Sequence, residues 1–171
     1  MLHYAAALGK HAGFWLTIIL VGCVLEGVAL FYQYVLDYGP CVLCVHIRIW
    51  VLAIIALAIL ALCLRRYRIP NLLLQILSLG AMAGLLERSW MVFAVERNLI
   101  ESSCKMSTGL PDWFALDKWF PVVFEPWELC GYTPDLLLGI TMAEGLLLIS
   151  LVATVVMATA LIGSLKHPNA E

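Results

Sequence analysis

The chain predicts an all-α membrane protein: a four-transmembrane-helix bundle with a short interfacial helix in its second outer loop. Three observations carry that expectation. Of 171 residues, 63% are hydrophobic and 13% charged, about half the charged share of an ordinary soluble domain, and mean hydropathy is +0.96. Four apolar stretches, about 14–36, 45–64, 72–95 and 141–162, are near or above the roughly 20 residues needed to cross about 30 Å of hydrocarbon. Lys and Arg gather at points that four crossings bring to one side.

Each span must be helical, because lipid offers the backbone no hydrogen-bond partner. The length allows one domain over 1–171, with outer loops at about 37–44 and 96–140. Span one follows Lys10 and His11. Its apolar run is too long for a signal-peptide core and no small-x-small cleavage site follows, so it reads as an uncleaved span. Spans two and three are joined through Arg65-Arg66-Tyr67-Arg68, and Lys166 follows span four. The long outer loop holds Arg97, Lys105 and Lys118 against Glu96, Glu101, Asp112, Asp117, Glu125, Glu128 and Asp135. The positive-inside rule then places both termini in the cytoplasm.

Within the spans, Glu26, Glu87, Arg88 and Glu144 are expected to face the bundle interior. Gly80-x-x-x-Gly84 fits close helix packing. Gln33 is placed to bond across helices or to a carbonyl ligand. Pro111, Pro121, Pro126 and Pro134 break the long loop into short pieces. Between the first two, Trp113, Leu116 and Phe120 share one helical face with Trp119 adjoining, as in a helix lying at headgroup level. Residues 100–109 around Cys104 are small and polar, so a partner protein could reach that thiol.

Net charge is -2 and there is no glycine-rich phosphate loop, Walker motif or H-E-x-x-H, so nothing points to nucleic acid. The chemistry rests on cysteines. Topology sends Cys41, Cys44, Cys104 and Cys130 to the outer face, and leaves Cys23 and Cys63 in the spans as buried, inert small hydrophobes. Cys41-Val42-Leu43-Cys44 opens a helix after Gly39 and Pro40, with Pro40 suited to its first turn. A C-x-x-C there is a redox pair or half a metal site. Zinc wants four closed ligands, whereas Cys104 and Cys130 form no second C-x-x-C, His46 points away from Cys44, and His3, His11 and His167 are on the other side. No metal is therefore expected, and no two histidines suit haem.

The partial positive charge of a helix N-terminus favours a thiolate. Arg48 lies at i+4 from Cys44 and i+7 from Cys41, on the same face and about one turn into the membrane. A charge there marks a functional site unless it snorkels to the headgroups. Four outer thiols allow three pairings, of which the nearest-neighbour one joins Cys41 to Cys44 and Cys104 to Cys130. The latter would close a loop worth about 3.5 kcal/mol on a chain-entropy estimate. Alone it would read as a structural staple; beside a C-x-x-C on the same face, redox use is favoured.

Tyr32-Gln33, Pro40-Cys41-Val42-Leu43-Cys44, Arg48, Cys104, Leu116-Asp117-Lys118-Trp119 and Cys130 together resemble the bacterial disulfide bond formation protein B (DsbB) family over nearly the whole chain. The resemblance implies a protein-dithiol:quinone oxidoreductase running a two-disulfide relay. A periplasmic thioredoxin-like dithiol protein, DsbA, would attack Cys104 of a Cys104–Cys130 disulfide. Electrons would pass to Cys41–Cys44, through a Cys41–Cys130 intermediate, and then to ubiquinone or menaquinone. Cys44, Arg48 and Gln33 would form the quinone site. DsbA is itself a strong oxidant, at about -120 mV, so the quinone sink must pull the relay forward. Two segments depart from the family pattern. Ser89-Trp90-Met91-Val92 lacks the histidine some relatives place at the outer end of span three, and Leu138–Gly145 lacks a frequent Met-Pro and tryptophan. Two alternatives remain. Vitamin K epoxide reductase-like enzymes use a similar bundle, but their second cysteine pair usually precedes the C-x-x-C. A non-catalytic membrane protein would keep Cys104–Cys130 as a staple.

Overall fold

The computed structural model describes residues 9–100, 109–111, 115–126, 135–137 and 140–166. Four long helices dominate: α1 (Ala12–Val35), α2 (Val42–Leu64), α3 (Arg68–Glu96) and α6 (Met142–Lys166). All four are long and apolar enough to cross a membrane. The outer connection carries two single turns, α4 (Leu116–Trp119) and α5 (Pro121–Phe124), and an antiparallel strand pair, β1 (Asp135–Leu137) with β2 (Ile140–Thr141).

Helix α1 packs on α2, α2 on α3 and α3 on α6. Trp15, Val51, Leu85 and Met157 belong to an apolar core, and Gln33, Arg48, Asn71, Gln75, Ser78, Ser89 and Ser150 are buried with it, while Leu20, Ile69, Leu148 and many other aliphatics are exposed. An apolar surface is what lipid requires, and polar side chains hydrogen-bond best inside the bundle. Buried Ala58, Ala61, Ala81, Ala143 and Ala160 allow close helix approach.

The helix ends have local causes. Helix α3 closes with Asn98 in the left-handed region (φ 53°), with Asn98 N–H donating to Val95 O and Leu99 N–H to Ala94 O. This is a Schellman closure using asparagine. Helix α6 opens with a reciprocal capping box: Glu144 N–H donates to Thr141 Oγ1, and Thr141 N–H to Glu144 Oε2. Thr141 Oγ1 also donates to Glu96 Oε2 at 3.1 Å, and Arg97 pairs with Glu144, so the outer ends of α3 and α6 are fastened together. At the other end Arg65 donates to Lys10 O at 3.3 Å, bringing two of the basic positions together.

Several expectations need correction. Helix α3 starts a turn earlier than expected, at Arg68, because Pro70 is tolerated in a first turn. Pro40 precedes the cap of α2 rather than entering its first turn. Of the expected interfacial helix, Leu116–Trp119 forms the single turn α4, and Pro121 opens the separate turn α5 after it. Trp113 lies outside the described residues. Cys23 and Cys63 are exposed on the bundle surface, not buried. Glu87 faces outward and pairs with its neighbour Arg88 at 3.8 Å.

The glycine pair also divides. A Cβ at Gly84 would stand 2.7 Å from the Trp50 ring, whereas one at Gly80 would meet nothing within 4 Å. Gly84→Ala is expected to destabilise the bundle by about 1–3 kcal/mol through overpacking. Gly80→Ala should be neutral or stabilising by up to about 1 kcal/mol, from helix propensity. Thermal unfolding of both variants in one detergent checks the contrast; equal shifts would refute it.

Candidate active site

After α1, Asp37 adopts φ 61° and Tyr38 N–H reaches back to Tyr32 O at 3.1 Å. This short reversal delivers the chain to Cys41. Cys41 is the N-cap of α2, and its sulfur accepts the Cys44 N–H at 3.2 Å. The cap therefore places Cys44 in the first turn, and the two free thiols stand with their sulfurs 2.6 Å apart. The hydrogen bond to the Cys44 sulfur, with burial second, holds the Cys41 thiol well above its ordinary range; the backbone N–H groups act weakly against this.

Arg48 lies one turn below Cys44 and does not snorkel. It is 5% exposed. Its Nη1 donates to Gln33 Oε1 at 2.6 Å and to Val123 O at 2.8 Å, and its Nη2 donates to Ala29 O at 3.2 Å. Gln33, 1% exposed, uses its other end to donate from Nε2 to Val122 O at 2.9 Å. Tyr34 donates its hydroxyl to the same carbonyl at 2.5 Å. The guanidinium is therefore fixed by acceptors from α1 and α5, not by a carboxylate.

Cys41, Cys44 and Arg48 share the wall of a cavity of about 340 Å³, to which α1 contributes Glu26, Ala29 and Tyr32, and α6 contributes Ala143, Leu146 and Ile149. It occupies the cleft between α1 and α6, with α2 behind. Most of its lining is apolar; its polar side chains are Glu26, Tyr32, Tyr38, Cys41, Cys44 and Arg48. Glu26 stands in this wall and lies within electrostatic reach of Arg48.

The structure brings Cys41, Cys44, Arg48 and Gln33 into one cluster, but it corrects the place of Gln33. Gln33 does not line the cavity; both ends of its amide are committed behind Arg48. Cys104 and Cys130 lie outside the described residues. Among the described residues, no three of His, Cys, Asp and Glu converge as metal ligands. Sequence reasoning missed Tyr34 and the carbonyls of Val122 and Val123. A backbone acceptor has no sequence signature, but the proline starting a single turn at Pro121 was a visible sign of orphan carbonyls nearby.

Fold and site together define a multi-pass membrane protein with a thiol pair at the head of a transmembrane helix, beside an apolar cleft. The family model for "Disulfide bond formation protein DsbB" matches residues 11–160, and the chain belongs to that family. Disulfide bond formation protein B 2 of Pseudomonas aeruginosa is 33% identical over 150 residues, covering 86% of this chain and 89% of the relative. The Shewanella frigidimarina protein B is 31% identical over 165 residues, covering 89% and 90%. That of Shewanella sp. strain MR-4 is 31% identical over 137 residues, covering 76% and 75%. Membership makes this a membrane oxidoreductase of disulfide bond formation, and sets the vitamin K epoxide reductase-like alternative aside.

Proposed function

We propose that this chain, as a single membrane domain over 1–171, oxidises a periplasmic DsbA-type dithiol and passes the electrons to membrane quinone. The observation that carries the proposal is the Cys41–Cys44 pair on the wall of the α1–α6 cavity with Arg48 one turn deeper. The cavity fits a quinone: it is apolar along most of its lining, a lipid-soluble molecule can enter between α1 and α6, and Arg48 presents N–H donors to a carbonyl oxygen. Bound there, ubiquinone or menaquinone supplies a sink for two electrons and two protons.

The residues divide the work. The Cys104–Cys130 disulfide takes two electrons from DsbA: one S–S bond forms in DsbA as this one is reduced, through a mixed disulfide at Cys104. The resulting thiols reduce Cys41–Cys44 by a second exchange, in which Cys130 attacks Cys41. Cys44, released as a thiolate at the helix N-terminus, is the outlet towards the cavity. Arg48 stabilises negative charge there, and the dry lining strengthens that attraction. The basic positions Lys10, Arg65 and Lys166 support a topology with both termini in the cytoplasm of a bacterial inner membrane and residues of about 37–44 and 96–140 outside.

Purified protein in lipid nanodiscs should oxidise reduced DsbA catalytically with ubiquinone or menaquinone, read as loss of quinone absorbance. Cys104→Ser should abolish this turnover. Full activity of Cys104→Ser, or inertness of the unmutated chain with both quinones, overturns the relay.

A further inference from the structure

The cavity wall holds an ionisable side chain that helix packing does not engage. Glu26 is half-buried on α1 and lines the cavity. Among the described residues it makes no hydrogen bond and no ion pair, although Arg48 is within electrostatic reach. Arg48 meets neutral acceptors instead, with Nη1 on Gln33 Oε1 and Val123 O and Nη2 on Ala29 O. An ionisable group inside a membrane bundle ordinarily pairs with another group or lines a cavity that serves function. Glu26 pairs with no neighbouring helix, so its carboxyl is free to meet whatever fills the cavity.

Its depth distinguishes it from the other polar groups of the wall. The Ala29 carbonyl accepts from Arg48 Nη2 at 3.2 Å, so Ala29 and the guanidinium share a level. Glu26 precedes Ala29 by one helical turn on the same face of α1, which puts it about 4.5 Å deeper along the axis. Tyr32, Tyr38, Cys41 and Cys44 lie on the outer side of that level, by their places on α1, on the connection after it and at the head of α2. On the inner side the wall is formed by apolar residues such as Val24, Leu25, Val51 and Ile149, with Glu26 as its polar side chain.

We infer that Glu26 is a ligand-binding residue: its carboxyl hydrogen-bonds the ring oxygen of a bound quinone that Arg48 does not serve. The inference rests on the proposed quinone reading of the cavity. A para-quinone carries its two oxygens on opposite edges of the ring, so one donor group cannot meet both. Three N–H bonds of the guanidinium are committed to the protein and two remain for the cavity. A carboxyl suits the second oxygen in either redox state: as an acid it donates to a carbonyl, and as a carboxylate it accepts from a hydroxyl. No electron passes through Glu26 and no covalent bond forms there.

The test reads binding without turnover, in the full chain carrying Cys41→Ser and Cys44→Ser, held in nanodiscs, with empty nanodiscs as the blank. Two probes are titrated by calorimetry: dimethylnaphthoquinone, with both ring carbonyls, and tetralone, with one. Glu26→Leu is expected to raise the Kd of dimethylnaphthoquinone about tenfold, the scale of one hydrogen bond lost in a dry site. The Kd of tetralone should not change, because its single oxygen is met by Arg48. Glu26→Gln should bind dimethylnaphthoquinone within about twofold of the parent, since an amide can both donate and accept. An unchanged dimethylnaphthoquinone Kd in Glu26→Leu overturns the inference. So does equal weakening of both probes, which would make Glu26 a support for Arg48, or failure of Glu26→Gln to restore binding, which would make charge the requirement. A parent chain that binds neither probe overturns the quinone reading of the cavity, and this inference with it.

Discussion

Cys44→Ser is expected to abolish quinone-linked thiol oxidation, lowering turnover by at least about a thousandfold, the scale seen when a covalent nucleophile is removed. Cys44 sits in the first turn of α2, with its sulfur 2.6 Å from that of Cys41, and both line the cavity. A serine hydroxyl can accept the same hydrogen bonds but can neither form nor break an S–S bond. The fold should survive, because the cap of α2 is made by the Cys41 sulfur and not by Cys44. The variant should therefore keep its helical circular dichroism and its thermal midpoint in detergent while quinone absorbance stays constant with reduced DsbA. Residual turnover above about one per cent would mean that Cys44 is not the outlet of the relay.

Arg48→Met should have the next largest effect, on stability and turnover together. It removes the donor to Gln33 Oε1 and Val123 O in a dry environment. Each unsatisfied buried acceptor costs about 1–3 kcal/mol, so a loss of about 2–6 kcal/mol is expected in unfolding experiments. Loss of a preorganised charge at a reacting centre lowers kcat by about 10²–10³-fold. Arg48→Lys separates the two effects. Lysine keeps the charge but cannot fork between Gln33, Val123 and Ala29 as the planar guanidinium does. It should recover part of kcat and leave quinone KM raised about tenfold. If Arg48→Lys matches wild type in both, the charge alone matters and the geometry of the fork does not.

The bundle was legible because lipid imposes a length and polarity rule on each span separately. Composition and run length were enough to find α1, α2, α3 and α6 within a few residues. Cys41, Cys44 and Arg48 were legible for a similar reason: their relation is local to one helix, and helical geometry alone puts i, i+4 and i+7 on one face. Errors arose where a position had to be judged inside or outside. Cys23 and Cys63 were expected within the bundle and lie on its surface, because inner and outer faces of a membrane helix are equally apolar. Gly80 and Gly84 form one motif in sequence, yet only Gly84 meets a neighbouring ring. The Thr141-x-x-Glu144 capping box is a motif written in the sequence at the head of the last apolar span.

The sequence by itself therefore determined the class: four membrane spans, a C-x-x-C at a helix head and an arginine beneath it, each set by local spacing or by the solvent. Only the tertiary structure decided that Arg48 is bound by Gln33, Ala29 and Val123 and not by headgroups, that Gln33 stands behind the cavity wall, and that α1 and α6 leave a cleft between them beside the thiols. Those facts depend on contacts between residues up to 89 positions apart, several of them to backbone carbonyls that every residue carries. Such contacts exist only once the helices have packed, and no local pattern encodes them.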